Sequence, residues 1–226
     1  MPGAPERGLA LADLLYTQGF GTRRACQALI EQGAVSIGGQ VCRDPARVHA
    51  VAGLEFSVHG ASWPYRESAS LMLHKPAGTE CSHKPGAWPS VYSLLPLPLR
   101  LRPRKGGVPG VQAVGRLDQD STGLLLLTDD GALIHRLNSP RHHIPKVYEV
   151  GTAEAVDARQ VERLLEGVLL EGETLPLRAA ACSIRGSHAL QLTLTEGKYH
   201  QVKRMLAALG NRVVRLHRSR VGALEL

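Results

Sequence analysis

The sequence predicts an α+β protein of two parts: a small helix-helix-sheet domain over residues 1–60 and, after a linker at 61–69, a larger domain over 70–226. The larger domain is expected to hold a mixed, mainly antiparallel sheet flanked by helices. Three observations predict this. Two short amphipathic helical stretches open the chain and run into strand-like residues around a Gly-Gly pair. Two further helices with a 3.6-residue apolar period lie at 157–168 and 200–210. Alternating strand patterns stand between and after them.

Taken in order, "LADLLYTQGF" is a short amphipathic helix closed at Gly19, and Thr22 is placed to cap a second helix, "RRACQALIEQG", that Gly33 ends. "AVSIGGQVCRD" is two strands joined through Gly38 and Gly39, a two-glycine hairpin turn. "GASWPYRESAS", polar with one proline, is the linker. "LMLHKPAG" is an apolar strand broken by Pro76 and Gly78. After it come a loop, "AGTECSHKPGAWPS", and a mobile basic surface loop, "PLRLRPRKGGVPGVQA", carrying Arg100, Arg102, Arg104 and Lys105. "GLLLLT" is a fully buried strand. In "DARQVERLLEGV", Val161, Leu164, Leu165 and Val168 fall on one helical face behind a capping Asp157. Val202, Met205, Leu206 and Leu209 do the same in "HQVKRMLAALG", closed by Gly210, with Lys203 and Arg204 projecting away from the apolar stripe. "ALQLTLTEG" and "NRVVRLHRSRVGALEL" alternate as strands.

With 43% hydrophobic and 21% charged residues, the 226-residue chain has the composition of a folded protein, which excludes disorder and fibrous repeats. No stretch approaches the ~20 apolar residues of a membrane span, and the N-terminus lacks a basic run followed by an apolar core. A cytoplasmic protein without membrane contact is expected. Cys26, Cys42, Cys81 and Cys182 lie far apart with no CxxC pair, which suits reduced thiols and no zinc site. The net charge of +7 suggests a polyanionic partner. Residues 1–60 are electrically neutral, so the excess lies in 61–226. The stretch 197–224 holds Lys198, Lys203, Arg204, Arg212, Arg215, Arg218 and Arg220 and no carboxylate, a footprint suited to phosphates.

The chemistry centres on "GRLDQDSTGLLLLTDDG". Asp118 stands in the turn that feeds a buried strand, where desolvation disfavours a carboxylate's charge unless a cation compensates. Arg116 is the nearest cation in sequence. With it Asp118 would make a structural ion pair, Asp120 or Asp130 serving as caps; alternatively Asp118 is the reactive group. No GxxxxGK[ST] or GxGxxG arrangement offers a nucleotide-cofactor loop. His142 and His143 in "SPRHHIPK" are adjacent and poorly placed to converge on one ion, so no metal site is expected.

Two resemblances add to this reading. About residues 7–59, through "GTRRACQALIEQGAVSIGGQV", resemble the S-four RNA-binding domain, which implies that Arg23 and Arg24 on the exposed side of the second helix touch RNA phosphates. "AVGRLDQDSTGLLLLTDDG", "PRHHIPKVYEV" and "EGKYHQVKRMLAALGNRVVRLHRSRVG" resemble the three signature motifs of the RsuA-type pseudouridine synthases, and "LHKPAG" resembles that family's opening strand. An S-four domain ahead of such a catalytic domain is also the family's arrangement. Family members usually run on past "RVGALEL", whereas this sequence stops at Leu226; a loosened sheet edge there would leave the site intact.

The resemblance implies isomerisation of uridine to pseudouridine in ribosomal RNA without a cofactor: the N1 glycosidic bond breaks, the base rotates, and carbon 5 joins the ribose. It makes Asp118 catalytic, attacking the ribose or the base or first removing a sugar proton. Tyr148 would stack on the target base, with Lys146 on the same strand face reaching a phosphate. Lys198 would supply the cation beside Asp118, leaving Arg116 to contact RNA. The uridine must be extruded from its stack. His142, Lys203, Arg204, Arg218 and the Arg100–Lys105 loop would line the RNA path and hold the flanking backbone. "EGKYHQVKRM" and "SPRHH" are most similar to the branch acting on small-subunit 16S RNA, whose siblings act on 23S RNA. The partner implied is ribosomal RNA or a small-subunit assembly intermediate, bound by a monomer. Two rival readings are a silent RNA-binding or ribosome-assembly factor, and a glycoside-type hydrolase using Asp118 and Asp120.

Overall fold

The computed structural model describes residues 8–104 and 106–226. Residues 1–7, within the stretch read above for a leader segment, and Lys105 of the basic loop lie outside the described residues. The chain forms two compact units, one made of the residues up to 70 with 92–112, the other of 71–91 with 113–226. No helix among the described residues is long and apolar enough to cross a membrane.

In the first unit, β1 (Gly8–Ala10) leads into α1 (Leu11–Thr17), and α2 (Arg23–Glu31) follows. Thr22 caps α2 as expected, its Oγ1 accepting from the Ala25 N–H at 3.2 Å. Leu11, Leu14 and Leu15 of α1 and Cys26 and Ile30 of α2 are fully buried and form the core with Val35 and Phe56. The expected hairpin is β2 (Val35–Ile37) and β3 (Gln40–Cys42), turned at Gly38 and Gly39 with φ of +57° and +79°, which glycine adopts without a Cβ penalty. β4 (Val48–Ala50) pairs with β1, and β5 (Glu55–Val58) and β6 (Ala61–Pro64) complete a sheet of order β3-β2-β5-β6.

Two expectations are corrected in this unit. Residues 61–66, read as linker, belong to the sheet and core: β6 pairs with β5, Trp63 meets Phe20 edge to face at 5.4 Å, and Tyr65 is buried. The polar composition hid them because alternate residues of an edge strand face outward. The stretch 98–113, read as a mobile loop, begins inside helix α3 (Leu97–Leu101) and is tied down by Arg102. That guanidinium is 4% exposed and donates to Gln18 Oε1 at 2.9 Å and to the Arg66 and Glu67 carbonyls at 2.8 and 3.0 Å. Arg100 and Arg104 remain exposed.

The second unit takes in β7 (Ser70–Lys75) from Leu71 on and resumes at Ala113 within β8 (Gln112–Val114), followed by β9 (Thr122–Thr128), α4 (Gly131–Asn138) and β10 (Lys146–Thr152). Then come α5 (Ala158–Glu166), β11 (Ala181–Gly186), β12 (Ala189–Leu194), α6 (Gln201–Ala208), β13 (Val213–Val221) and β14 (Leu224–Glu225). The main sheet runs β11-β12-β10-β13-β9-β7, with β8 on β9 and β14 on β13. β10 pairs antiparallel with β12 and β13, whereas β13 and β9 run parallel, so the sheet is mixed as the sequence predicts. Leu124, Leu125, Leu126 and Leu127 of β9 are all buried, the signature of a strand covered on both faces. Leu164, Leu190, Leu192, Leu194, Met205 and Leu206 pack α5 and α6 against this sheet. Asp157 caps α5, accepting from the Gln160 N–H at 2.7 Å.

Gly123 sits where β9 meets β13, paired with Arg218, at φ +111°. A Cβ there would stand 2.2 Å from the Arg218 carbonyl oxygen. Gly123→Ala is therefore expected to destabilise the fold by roughly 3 kcal/mol or more, through backbone strain and overpacking together. Urea denaturation of the variant checks it; a change below about 1 kcal/mol would contradict the close approach.

Candidate active site

The turn that carries Asp118 is fixed from below by a buried amine. Lys75, at the end of β7, is 0% exposed and donates to the carbonyls of Pro76 at 3.0 Å, Gln119 at 3.4 Å and Ser121 at 2.9 Å. The Gly78 N–H donates to the same Gln119 carbonyl at 2.7 Å, and the Ser121 N–H closes the turn on the Asp118 carbonyl at 3.1 Å. Burial lowers the Lys75 ammonium's pKa, a cost set against these carbonyl dipoles and the nearby carboxylates. The "HKP" of the opening strand is thus an anchor, a role that a lone lysine in an apolar run could have signalled.

From above, the turn is held by side chains around the start of α6. Lys203 Nζ lies 2.9 Å from Asp118 Oδ2 and 2.6 Å from Asp120 Oδ1, and His200 Nε2 lies 3.3 Å from Asp118 Oδ1. Burial by itself would lower the Lys203 pKa, but the hydrogen bonds and charges of Asp120 and Asp118 outweigh it and the pKa is raised. Asp120 shows the converse: burial would raise its carboxyl, yet Lys203 holds it below its ordinary value. This overturns the expected pairing of Asp118 with Lys198. Lys198 precedes α6 and meets Glu173 Oε2 at 3.1 Å, while Lys203 sits in the helix's first turn facing the two aspartates. Arg116, the alternative partner, is exposed.

Asp118 opens onto a cavity of about 880 Å³ that is also lined by Arg116, Lys146, Tyr148, Lys198 and Arg218. That size suits a small-molecule or single-nucleotide guest. Tyr148 and Lys146 share this side of β10, as the strand alternation predicts, and Tyr148 is buried. Lys146 Nζ donates to the Ile144 carbonyl at 3.1 Å, and burial followed by the Arg218 charge lowers its pKa.

Other expected RNA contacts are engaged within the fold or lie away from the cavity. Arg218 is 3% exposed with Nε donating to the Leu124 carbonyl at 2.9 Å, so it braces β13 against β9 and is not a surface cation. Arg204 is engaged too, with the carbonyls of Glu171 and Tyr199 and with Glu173. His142 is exposed, on a short 3-10 turn, and is not among the cavity-lining residues. In the first unit Arg23 and Arg24 are both exposed, and Arg23 pairs with Asp13 at 3.1 Å and lies over the Tyr16 ring. Among the described residues, no group of three or more His, Cys, Asp or Glu side chains could hold a metal ion.

The Lys203 bridge has a pH signature. The depressed Asp120 carboxyl contributes stability above its ordinary pKa of 3.8 that is lost as pH falls through the folded value; the raised Lys203 ammonium contributes below 10.5 and is lost as pH rises through its folded value. The stability difference between wild type and Lys203→Met should therefore shrink in acid, as the carboxylates that Lys203 holds ionised take up protons, and shrink in alkali above 10.5. Denaturation titrations across pH check this, and a difference that persists undiminished in acid would contradict the bridge.

Residues 70–208 match the RNA pseudouridylate synthase family, and residues 11–48 match the S4 domain. The chain is 40% identical over 206 residues to the "Ribosomal small subunit pseudouridine synthase A" of Pasteurella multocida (strain Pm70), covering 91% of this chain and 85% of that one. It is 38% identical over 222 residues to the "Uncharacterized RNA pseudouridine synthase YtzG" of Bacillus subtilis (strain 168), covering 96% and 90%. A crystal structure of a pseudouridylate synthase superposes with a TM-score of 0.63 at 36% identity, over 96% of this chain and 90% of that one. With a carboxylate clamped at the mouth of a nucleotide-sized cavity beside a buried tyrosine, and these likenesses over nearly its whole length, the chain belongs to the RNA pseudouridylate synthase family.

Proposed function

We propose that the protein isomerises a uridine of ribosomal RNA, that the RNA is the small-subunit 16S molecule or its assembly intermediate, and that Asp118 is the group that engages the target nucleoside. We further propose that it acts as a monomer in the cytoplasm. The name carried by the P. multocida relative supports the small-subunit target. The free state of Cys26, Cys42, Cys81 and Cys182 supports a reducing compartment.

The observation that carries the reading is the Asp118 carboxylate, charge-compensated by Lys203 at 2.9 Å and opening onto a cavity that Tyr148 shares. The reaction conserves atoms and electrons. The bond from N1 to carbon 1′ breaks, the uracil turns, carbon 5 bonds to carbon 1′, and the proton of carbon 5 is lost while N1 gains one. Such a reaction needs a carboxylate at the sugar or base, a surface for the detached ring, and anchors for the flanking phosphates. Asp118 supplies the first, the Tyr148 ring the second, and the exposed Arg116 with Lys146 the third. Lys203 acts through Asp118 and is a positioning residue.

Incubation with unmodified 16S RNA, followed by carbodiimide-dependent primer-extension mapping, should give a new pseudouridine stop. Asp118→Asn should lose it, with the rate falling by about 10⁴-fold or more. RNA binding retained without any stop in the wild type would favour a silent binding factor, and free uracil would indicate hydrolysis. Binding should also weaken with salt, with a slope of about −0.7 in log K per phosphate neutralised on single-stranded RNA. A flat salt response would contradict the phosphate anchors.

A further inference from the structure

The turn between β12 and α6 carries an aromatic ring that the reaction above does not use. Tyr199 is 68% exposed, at the rim of the cavity that Asp118 and Tyr148 share. Its ring is stacked on the His200 imidazole, with centroids 3.8 Å apart and planes inclined by 18°. His200 in turn touches Asp118 Oδ1 at 3.3 Å. One face of the phenol ring is therefore covered by a group in contact with the reactive carboxylate, and the other accounts for the exposure.

This arrangement is held, not incidental. His200 adopts φ +47°, a left-handed conformation uncommon for a non-glycine residue, and it turns the chain into α6. The buried Gln201 braces the turn, accepting from the Lys198 N–H at 2.9 Å and donating to Glu196 Oε1 at 2.9 Å. The Tyr199 carbonyl accepts from Arg204 Nη1 at 3.3 Å. With the backbone of its turn held and one face stacked on the His200 imidazole, the ring gives up less freedom on meeting a flat partner than an unsupported side chain would. Extruding a uridine also leaves the base next to it without its stacking neighbour, so a replacement π face beside the cavity has a partner at hand.

We propose that Tyr199 is a stacking platform for the nucleobase adjoining the target uridine, extending the Tyr199–His200 pair to a third ring and setting the RNA in register with Asp118. This rests on the reading of the cavity as a uridine site. It is a contact separate from that of Tyr148, which serves the extruded base itself.

The test uses the full chain and an RNA fragment containing the mapped uridine, synthesised in three forms: unaltered, and abasic at the 5′ or the 3′ neighbour. Tyr199→Ala should weaken binding of the unaltered RNA by about 5- to 150-fold, and Tyr199→Phe, which keeps the ring, should bind nearly as wild type. One of the two abasic fragments should bind wild type more weakly by a similar factor, and on that fragment Tyr199→Ala should carry no further penalty. Should Tyr199→Ala fold poorly, wild-type binding to the abasic fragments and the Phe variant still decide. Equal binding of all three fragments by wild type, or an undiminished Tyr199→Ala penalty on both abasic fragments, would overturn the platform. Pseudouridine formed in the unaltered fragment alongside such a result would sink the platform alone; no pseudouridine in any arm would sink the reading of the cavity.

Discussion

One ammonium group between two carboxylates organises the catalytic unit. The "DQD" of the turn before β9 places Asp118 and Asp120 close together, where their like charges repel and partial burial raises the cost. Lys203, 83 residues from Asp120 along the chain, meets both, and its own pKa rises because two anions outweigh its burial. The contact ties the first turn of α6 to the entrance of β9. It also keeps Asp118 compensated on one oxygen while His200 reaches the other. A second lysine works on the same turn by different means: among the described residues Lys75 makes no direct ion pair with a carboxylate and instead gathers backbone carbonyls from beneath. Charge from one side and carbonyl dipoles from the other leave the turn little room to move, which preorganisation of a reactive group requires.

That use of cations changes what the net charge means. The chain carries +7 overall, and the acid-free run from 197 to 224 looks like a phosphate-binding stripe. Within it, however, Lys198 is paired with Glu173, Lys203 with Asp118 and Asp120, Arg204 with Glu173 and two carbonyls, and Arg218 is buried against β9. Arg102 of the basic stretch is likewise spent on structure. Charges that satisfy internal partners attract RNA less strongly than exposed ones. The surface that meets phosphate is accordingly narrower than the sequence suggests, and contacts such as the open face of Tyr199 gain weight in positioning the RNA.

Elements with local signals were legible in the sequence. The Thr22 and Asp157 caps, the Gly38–Gly39 hairpin and the leucine run of β9 each depend on residues a few positions apart, and each stands as its pattern implies. Helix α4 was not legible, although Ile134 and Leu137 pack against the core beneath it, because an eight-residue helix offers too few apolar positions to set a period. The partner of Asp118 was the harder case. "EGKYHQVKRM" offers two lysines five positions apart, and the choice between them turns on where α6 starts and on Glu173, which lies in a loop without pattern and draws Lys198 away. Long-range pairings of this kind follow from tertiary packing, which periodicity does not encode.

The most direct measurement is the single-turnover rate of pseudouridine formation by Lys203→Met and Lys198→Met on the same RNA. If the bridge to Asp118 governs the site, Lys203→Met loses about 10²-fold or more while Lys198→Met stays within a few-fold of wild type. A large loss on changing Lys198 with little on changing Lys203 would contradict the assignment of the cation and the account built on it.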